Sequence, residues 1–218
     1  MNIFDLIGPI MVGPSSSHTA GAARIGLVAR TMLGEKPVKA EILLHGSFAA
    51  TGKGHGTDRA LVAGLLGMKP DDLRIPDSFR FAREEGLEFS FGEVKLDEAH
   101  PNSALLRLTG ETGKTLEMIG ASVGGGKIEV REINGLKLRF TAEYPTLIIQ
   151  NHDNPGSIAW VSKLLADENV NIGTFQVTRS SRGKDAIMVI ECDSLITDDL
   201  VEKIMQNPDI ISAGKVNL

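Results

Sequence analysis

The spacing of apolar residues predicts three amphipathic helices in the first part of the chain. In each segment apolar side chains recur every three or four positions, which places them on one face of an α-helix. Gly34 and Gly67 follow the first two segments and are typical helix-ending residues. One further helical turn is predicted over residues 3–6. The three helices are predicted over 19–33, 59–66 and 77–85.

Short runs in which apolar and polar residues alternate predict strands between and after these helices. A period of two is typical of a strand with one buried face. Glycine-rich clusters separate several of the runs, and Asn134-Gly135 is the pair that most strongly indicates a hairpin turn. The strands of this part are predicted over 39–45, 87–96, 104–109, 115–121, 127–133 and 136–140.

From residue 146 the pattern changes to a compact succession of elements in the order βαββαβ. This order is the ferredoxin-like motif, and it predicts a four-stranded antiparallel sheet with two helices on one face. The predicted fold class is therefore α+β, with a mixed α/β domain over 1–143 and a ferredoxin-like domain over 144–218. The elements of the second domain are predicted over 146–150, 156–167, 170–178, 185–192, 197–206 and 210–216.

Composition and charge argue against several classes of function. The formal net charge is −5, which argues against a nucleic-acid partner. No apolar run approaches the roughly 18 residues of a membrane span, and the first residues lack a basic leader. We therefore expect no membrane partner and a cytoplasmic location. The single cysteine, Cys192, excludes a disulfide within the chain and argues against a metal or iron–sulfur site held by this chain alone.

The most informative stretch for function lies just before the first long helix. Ser15, Ser16, Ser17, His18 and Thr19 follow a Gly-Pro pair. The serines are predicted to lie in a loop, with Ser17 or His18 near the helix N-cap. The first helical turn has unpaired N–H groups and the positive end of the helix dipole, which suit a carboxylate or phosphate, and His18 adds a group that titrates near neutral pH. The alternative is an ordinary N-cap with a surface histidine.

A second stretch of similar composition, Lys53-Gly54-His55-Gly56-Thr57-Asp58, precedes the next predicted helix. Its glycines allow the backbone to come close to a ligand, and His55 and Thr57 lie just before the helix. Two such junctions, each with a histidine and hydroxyl groups, are predicted to converge on one anion. The alternative is a tight turn in which Asp58 caps the helix.

Three other stretches are weaker candidates. His100-Pro101-Asn102 belongs either to this site or to a rigid turn between strands. The glycines after Ser122 indicate a bulge or a close backbone approach, and they do not match a nucleotide-binding motif. In the second domain, residues 151–156 join a strand to a helix, where they either bind a small amino acid or only cap the helix.

These stretches resemble a known family. Residues from 1 to about 142 are similar to the β subunit of iron–sulfur-dependent bacterial L-serine dehydratases, and residues from 146 onward resemble an ACT domain. The region 151–156 occupies the usual position of the ACT ligand loop. The strings that carry the first resemblance are 13–21, 52–58, 100–102 and 122–126.

The resemblance implies a chemistry that the residues alone do not. It implies an L-serine ammonia-lyase that forms pyruvate and ammonia, with a [4Fe–4S] cluster bound by cysteines of a partner α subunit and no metal ligand in this chain. It also implies a heteromer with that subunit, a homodimer through the ACT domain, and a Cα base that corresponds to His18 or His55. Substrate contacts would come from Ser15, Ser16, Ser17, Thr19, Lys53, Thr57, His100 and Asn102, and effector contacts from Asn151, Asp153, Asn154 and Gly156.

Other functions stay open at this stage. The β subunit also resembles the additional substrate-binding domain of some phosphoglycerate dehydrogenases, which is regulatory. The chain would then be a regulatory serine-binding module without catalytic residues of its own. A third alternative is a metabolic sensor that pairs with an unrelated enzyme. A cysteine-rich iron–sulfur partner would distinguish the first function from the other two.

Overall fold

The computed structural model of the chain describes residues 10–179 and 181–217. The chain forms two compact units, of which the first ends at Gly135 and the second begins at Leu136. The boundary expected from the sequence lies later, between residues 143 and 144, and that boundary stays a prediction. The helical turn expected over 3–6 lies outside the described residues.

Within its described residues, 10–135, the first unit contains four α-helices and a sheet that is parallel at one edge and antiparallel elsewhere. Its five strands lie in the order β2-β1-β3-β4-β5, with β1 and β2 parallel and the other neighbours antiparallel. The elements are α1 (Gly21–Leu33), β1 (Pro37–Gly46), α2 (Ser47–His55), α3 (Thr57–Leu65), α4 (Ser78–Glu84), β2 (Glu88–Glu93), β3 (Asn102–Gly110), β4 (Thr115–Gly124) and β5 (Lys127–Ile133).

Helices α1 and α3 cross with their main chains in direct contact. A Cβ atom at Gly26 of α1 would lie 2.3 Å from the carbonyl oxygen of Leu61, and one at Gly64 of α3 would lie 2.1 Å from that of Ala23. Both distances are far below van der Waals contact, so the crossing requires glycine at these two positions. α1 also packs on β4 and covers fully buried residues of the sheet, such as Met118.

The second unit confirms the predicted ferredoxin-like arrangement. Four of its strands form an antiparallel sheet in the order β10-β7-β9-β8, and residues of both helices share one buried apolar cluster with the sheet. The elements are β6 (Leu136–Phe140), β7 (Thr146–His152), α5 (Ser157–Asp167), β8 (Ile172–Arg179), β9 (Asp185–Cys192), α6 (Asp198–Met205) and β10 (Ile210–Val216). The α+β class predicted from the sequence is therefore confirmed.

The structure corrects the prediction for residues 46–58, most of which form the helix α2 instead of a loop. Gly56, with a φ of +69°, separates α2 from α3. The backbone N–H groups of Ser47 and Phe48 both donate to the carbonyl oxygen of Pro101, at 2.8 and 3.4 Å. Phe48 is fully buried. These tertiary contacts stabilise a helix whose glycines give it a low intrinsic propensity.

Among the described residues, no helix combines the length and the apolar character that a membrane crossing requires.

We expect Gly64→Ala to destabilise the protein strongly, because the added methyl group would overlap the main chain of α1. Overpacking of this kind typically costs about 1–3 kcal/mol in the free energy of unfolding. Urea denaturation of the purified chain measures the change.

Gly54→Ala is the matched control for this substitution. Gly54 is also helical, but a Cβ atom there would meet no atom within 4 Å. Alanine is the better helix former, so this variant should gain up to about 1 kcal/mol of stability. Equal losses in the two variants would contradict the close crossing of α1 and α3.

Candidate functional site

The serine-rich stretch is helical earlier than the sequence indicates. Ser15 is the N-cap, and a π-helical turn over Ser16–Ala20 leads directly into α1. The Ser15 hydroxyl accepts a hydrogen bond from the backbone N–H of His18 at 3.1 Å. The N-cap is therefore Ser15, two residues before the expected Ser17. A capped first turn holds the His18 side chain at a fixed position along the helix.

The imidazole of His18 contacts one face of α2. Its Nε2 atom lies 3.2 Å from Ser47 Oγ and 3.1 Å from Thr51 Oγ1. The ring also meets the edge of the buried Phe48 ring, with centroids 5.4 Å apart and an angle of 63° between the planes. These contacts fix the ring orientation from two directions.

His55 is the last residue of α2, at the end opposite to Ser47, and its ring lies beside that of His18. The two ring centroids are 4.8 Å apart. His55 Nδ1 lies 3.1 Å from the carbonyl oxygen of Thr51. Since a carbonyl oxygen can only accept, Nδ1 carries the proton and Nε2 carries the free lone pair in the neutral ring.

A hydrogen bond ties the two histidine-bearing segments together. The hydroxyl of Thr19, which is 2% exposed, donates to the carbonyl oxygen of His55 at 3.1 Å. The two stretches singled out in the sequence thus meet. The second stretch contains a helix C-terminus that was not expected, because Lys53 and His55 lie in the last turn of α2, where the helix dipole is negative. It also contains the expected helix N-terminus, since α3 begins at Thr57, and the binding of an anion there stays a prediction.

The surroundings of His18 favour a neutral imidazole. Burial lowers its pKa, the nearby His55 lowers it further, and a hydrogen bond to Ser47 opposes both effects. A neutral ring can accept a proton, which is the property that a general base needs. Within the described part of the chain, the titratable side chain that faces His18 is His55.

The other candidates around this pair are either buried or lie at its edge. Thr57 is fully buried beside Gly52, and its Oγ1 has no hydrogen-bond partner within the described residues. Lys53 is exposed. His100 Nδ1 accepts the backbone N–H of Asn102 at 3.1 Å, and the Pro101 between them binds the start of α2. This segment therefore supports α2 directly, and its contact with a substrate stays a prediction.

Two residues of this site were missed in the sequence. Ser47 and Thr51 hydrogen-bond to His18, and with His55 they stand at positions i, i+4 and i+8 of α2. This spacing places all three on one helix face. The signal was present in the sequence, but it becomes visible only once the segment is recognised as helical.

In the second unit, the candidate effector loop is held by polar contacts. Asp153 accepts hydrogen bonds from the Gly183 backbone N–H at 3.1 Å and from Arg179 at 3.0 Å, and these bonds hold the pKa of its carboxyl below the ordinary value. Asn154 donates to Asp209 at 2.8 Å. The remaining candidates are Asn151, which is buried at the end of β7, and Gly156, which has a φ of +103°.

The residues of this chain do not fit an iron–sulfur cluster. Cys192 is buried in β9, and burial raises the pKa of its thiol to about 11, so the thiolate that a cluster requires is disfavoured. No group of three or more His, Cys, Asp or Glu side chains within residues 10–179 and 181–217 is arranged to hold a metal ion.

We expect His18 to titrate below the ordinary imidazole value of about 6.5. The His55→Gln variant should raise the pKa of His18, because it removes the neighbouring charge, while burial keeps it below the ordinary value. A histidine NMR titration measures the shift, with His152→Gln in the second unit as the control. An unchanged pKa in the His55→Gln variant would contradict the electrostatic coupling.

The lowered pKa of His18 also sets the sign of its effect on stability. The unfolded chain binds this proton at a higher pH than the folded chain does. The contribution of His18 to stability is therefore present above about pH 6.5 and is lost as the pH falls through the folded-state pKa. Urea denaturation of the parent and of His18→Gln at several pH values should show this difference.

Comparison with known proteins gives the family. Residues 2–84 match the family described as serine dehydratase beta chain, and residues 146–209 match the ACT domain. The chain is 42% identical to the probable L-serine dehydratase beta chain of Bacillus subtilis, over 99% of this chain and 97% of that protein. It is 41% identical to the L-serine dehydratase beta chain of Peptoniphilus asaccharolyticus, over 93% of this chain and 91% of that protein.

A more distant likeness covers part of a larger enzyme. The chain is 29% identical to D-3-phosphoglycerate dehydrogenase of Bacillus subtilis, over 73% of this chain but only 30% of that protein. The likeness to the two beta chains is higher in identity and extends over nearly the whole of each protein. The chain therefore belongs to the L-serine dehydratase beta-chain family, with an ACT domain in its C-terminal part.

Proposed function

We propose that this chain is the β subunit of an L-serine ammonia-lyase and that it supplies the base for the reaction. The observation that carries the proposal is the pair of imidazoles, His18 and His55, whose rings lie 4.8 Å apart at the junction of two helices. The near full-length likeness to two L-serine dehydratase beta chains supports the choice of substrate.

The reaction requires a proton acceptor near the Cα atom of serine. Removal of the Cα proton and departure of the hydroxyl group as water leave an enamine, which hydrolyses to pyruvate and ammonia. A neutral imidazole has the basicity for the first step near neutral pH. His55 Nε2 keeps its lone pair because Nδ1 donates to the Thr51 carbonyl oxygen, and neutral His18 offers one lone pair whose position depends on its tautomer.

The hydroxyl-bearing residues divide into two roles in this proposal. Ser15, Ser16 and Ser17 are partly exposed in the first helical turn, and they are assigned to the substrate carboxylate and hydroxyl, together with the exposed Lys53. Thr19 and Thr57 are buried; Thr19 joins the two segments through its bond to the His55 carbonyl oxygen, and contact of either residue with the substrate stays a prediction. Hydrogen-bond donors at a helix start stabilise negative charge that develops in the reaction.

A partner subunit completes the proposed enzyme. The buried thiol of Cys192 is not a suitable cluster ligand, so a [4Fe–4S] cluster would have to be bound by an α subunit. The word "beta chain" in the names of both relatives also supports a second chain. In the proposed heteromer, the His18 and His55 side chains face the cluster-bearing subunit.

The ACT domain is proposed to bind a small amino acid as an effector and to pair two copies of the chain. The loop from Asn151 to Gly156 supports the first part, because Asp153 and Asn154 connect it to neighbouring strand ends. The sheet ends in β8 and β10, and edge strands of this kind can join a second sheet.

A regulatory serine-binding module is the second candidate function. The likeness to a phosphoglycerate dehydrogenase over 73% of this chain favours it. In this case the loops bind serine and no chemistry occurs on the chain. The two candidates differ in whether the histidines are needed for turnover.

Purification from the native source separates these candidates. If the chain is an enzyme subunit, it should co-purify with a cysteine-rich protein whose brown colour indicates an iron–sulfur cluster. The expected iron content is measured by absorption spectroscopy and iron analysis. A chain that binds serine but never associates with a cluster protein would support the regulatory module.

We expect one of the variants His18→Ala and His55→Ala to lower kcat by roughly 10²–10⁴ when it is reconstituted with the cluster-bearing subunit. The other should mainly raise KM, because it orients the base or the substrate. Steady-state formation of pyruvate from L-serine gives both constants, and iron analysis should show unchanged cluster content.

The exposed Lys163 of α5 provides the control for the kinetic experiment. Lys163→Ala should leave kcat close to that of the parent, because its side chain pairs with Asp167 of the same helix and belongs to neither candidate site. Near-normal kcat in both His18→Ala and His55→Ala would place the base on the partner chain.

A further inference from the structure

Two hydroxyl groups on α2 contact the same nitrogen of His18. His18 Nε2 lies 3.1 Å from Thr51 Oγ1 and 3.2 Å from Ser47 Oγ. His18 Nδ1 lies 3.5 Å from Ser15 Oγ, at the limit for a hydrogen bond. The strong contacts of the ring are therefore at Nε2.

The direction of the bond at Nε2 follows from the proton of Thr51. The Thr51 hydroxyl donates to the carbonyl oxygen of Ser47 at 2.9 Å, and that carbonyl can only accept. In this pattern Thr51 Oγ1 presents a lone pair to His18, so His18 Nε2 carries the proton and Nδ1 carries the free lone pair. Donation by Thr51 to Nε2 instead would give up the shorter bond to the Ser47 carbonyl oxygen. The Ser47 hydroxyl, 3.4 Å from Thr51 Oγ1, can donate to the same oxygen.

The opposite arrangement fits the contacts less well. If the Ser47 hydroxyl donated to Nε2, the proton would lie on Nδ1 and point at Ser15 Oγ over 3.5 Å. Ser15 Oγ already accepts the backbone N–H of His18 at 3.1 Å. In this alternative the ring accepts from Ser47 at 3.2 Å, but its own N–H donates over 3.5 Å to Ser15 instead of over 3.1 Å to Thr51.

We propose that Thr51 is a positioning residue for the reaction, which holds His18 in the Nε2–H tautomer so that Nδ1 is the proton-accepting atom. This inference rests on the proposed function. The charged or titratable group that faces His18 from the elements packed on it is His55, and Ser47, Phe48 and Thr51 of α2 are uncharged. Within residues 10–179 and 181–217, the tautomer is therefore set by hydrogen bonding and not by a carboxylate.

The first test is a measurement on the full chain that does not depend on activity. In ¹⁵N-histidine NMR spectra above the pKa of His18, the parent should show a protonated Nε2 and an unprotonated Nδ1. Thr51→Val removes the acceptor without changing the shape of the side chain, and it should lower the ratio of Nε2–H to Nδ1–H by about 3- to 10-fold. His18→Gln identifies the signal.

Thr31 supplies a matched control for the lost hydroxyl. Its Oγ1 donates to the carbonyl oxygen of Leu27 at 2.8 Å, which is the same bond to position i−4 that Thr51 makes in α2. Thr31→Val should leave the His18 signals unchanged. A protonated Nδ1 in the parent, or equal spectra for parent and Thr51→Val, would overturn the proposal.

The second test is kinetic and uses the enzyme reconstituted with its cluster-bearing subunit. Thr51→Val should lower kcat by about 3- to 10-fold with little change in KM, and Thr51→Ser should recover most of the loss. A merely structural role would lower thermal stability and enzyme yield but not the kcat of the folded fraction. An unchanged kcat with an altered tautomer would show that the bond has no part in the reaction.

The same experiments separate failure of this inference from failure of the proposed function. If neither His18→Ala nor His55→Ala lowers kcat, the proposed base is wrong, whatever the NMR spectra show. If His18→Ala lowers kcat and Thr51→Val does not, the base is right and the positioning role of Thr51 is wrong.

Discussion

The hydrogen bond from the Thr19 hydroxyl to the His55 carbonyl oxygen is the contact on which the candidate site depends. It joins Thr19, in the π-helical turn before α1, to His55, in the last turn of α2. Thr19 directly follows His18, so the bond connects the two histidine-bearing segments. Because Thr19 is almost fully buried, water does not compete for this bond. The bond thereby stabilises the approach of two helix ends that carry the functional side chains.

The sequence was sufficient for the second unit and for most strands of the first. In the second unit, apolar periods, the N-cap Thr197 and the turn glycines all indicate the same βαββαβ order that the structure shows. Its elements are stabilised mainly by contacts between their own apolar faces. Agreement between local pattern and packing is what makes such a unit predictable.

Helix α2 could not be predicted from local pattern because its stability comes from elsewhere in the chain. Gly52 and Gly54 lower its helix propensity, and the carbonyl group that binds its first turn belongs to Pro101, in a distant part of the sequence. The proximity of His18 and His55 was correctly anticipated from their similar settings. The expected setting, a pair of helix N-termini, is incomplete for His55, because this residue ends α2 and also directly precedes Gly56, the N-cap of α3.

The main-chain contact between Gly26 and Gly64 has a consequence for how the distance between the two imidazoles responds to mutation. His18 lies in the π-helical turn that leads into α1, and His55 is separated from α3 by the single residue Gly56. The atoms nearest to Gly26 and Gly64 belong to the main chain of the opposite helix, so the separation of the helices does not depend on side-chain volume at these two positions. Core residues around the crossing can therefore be substituted without moving the two imidazole rings apart. A single methyl group added at Gly26 or Gly64, in contrast, would shift the helices and with them both rings.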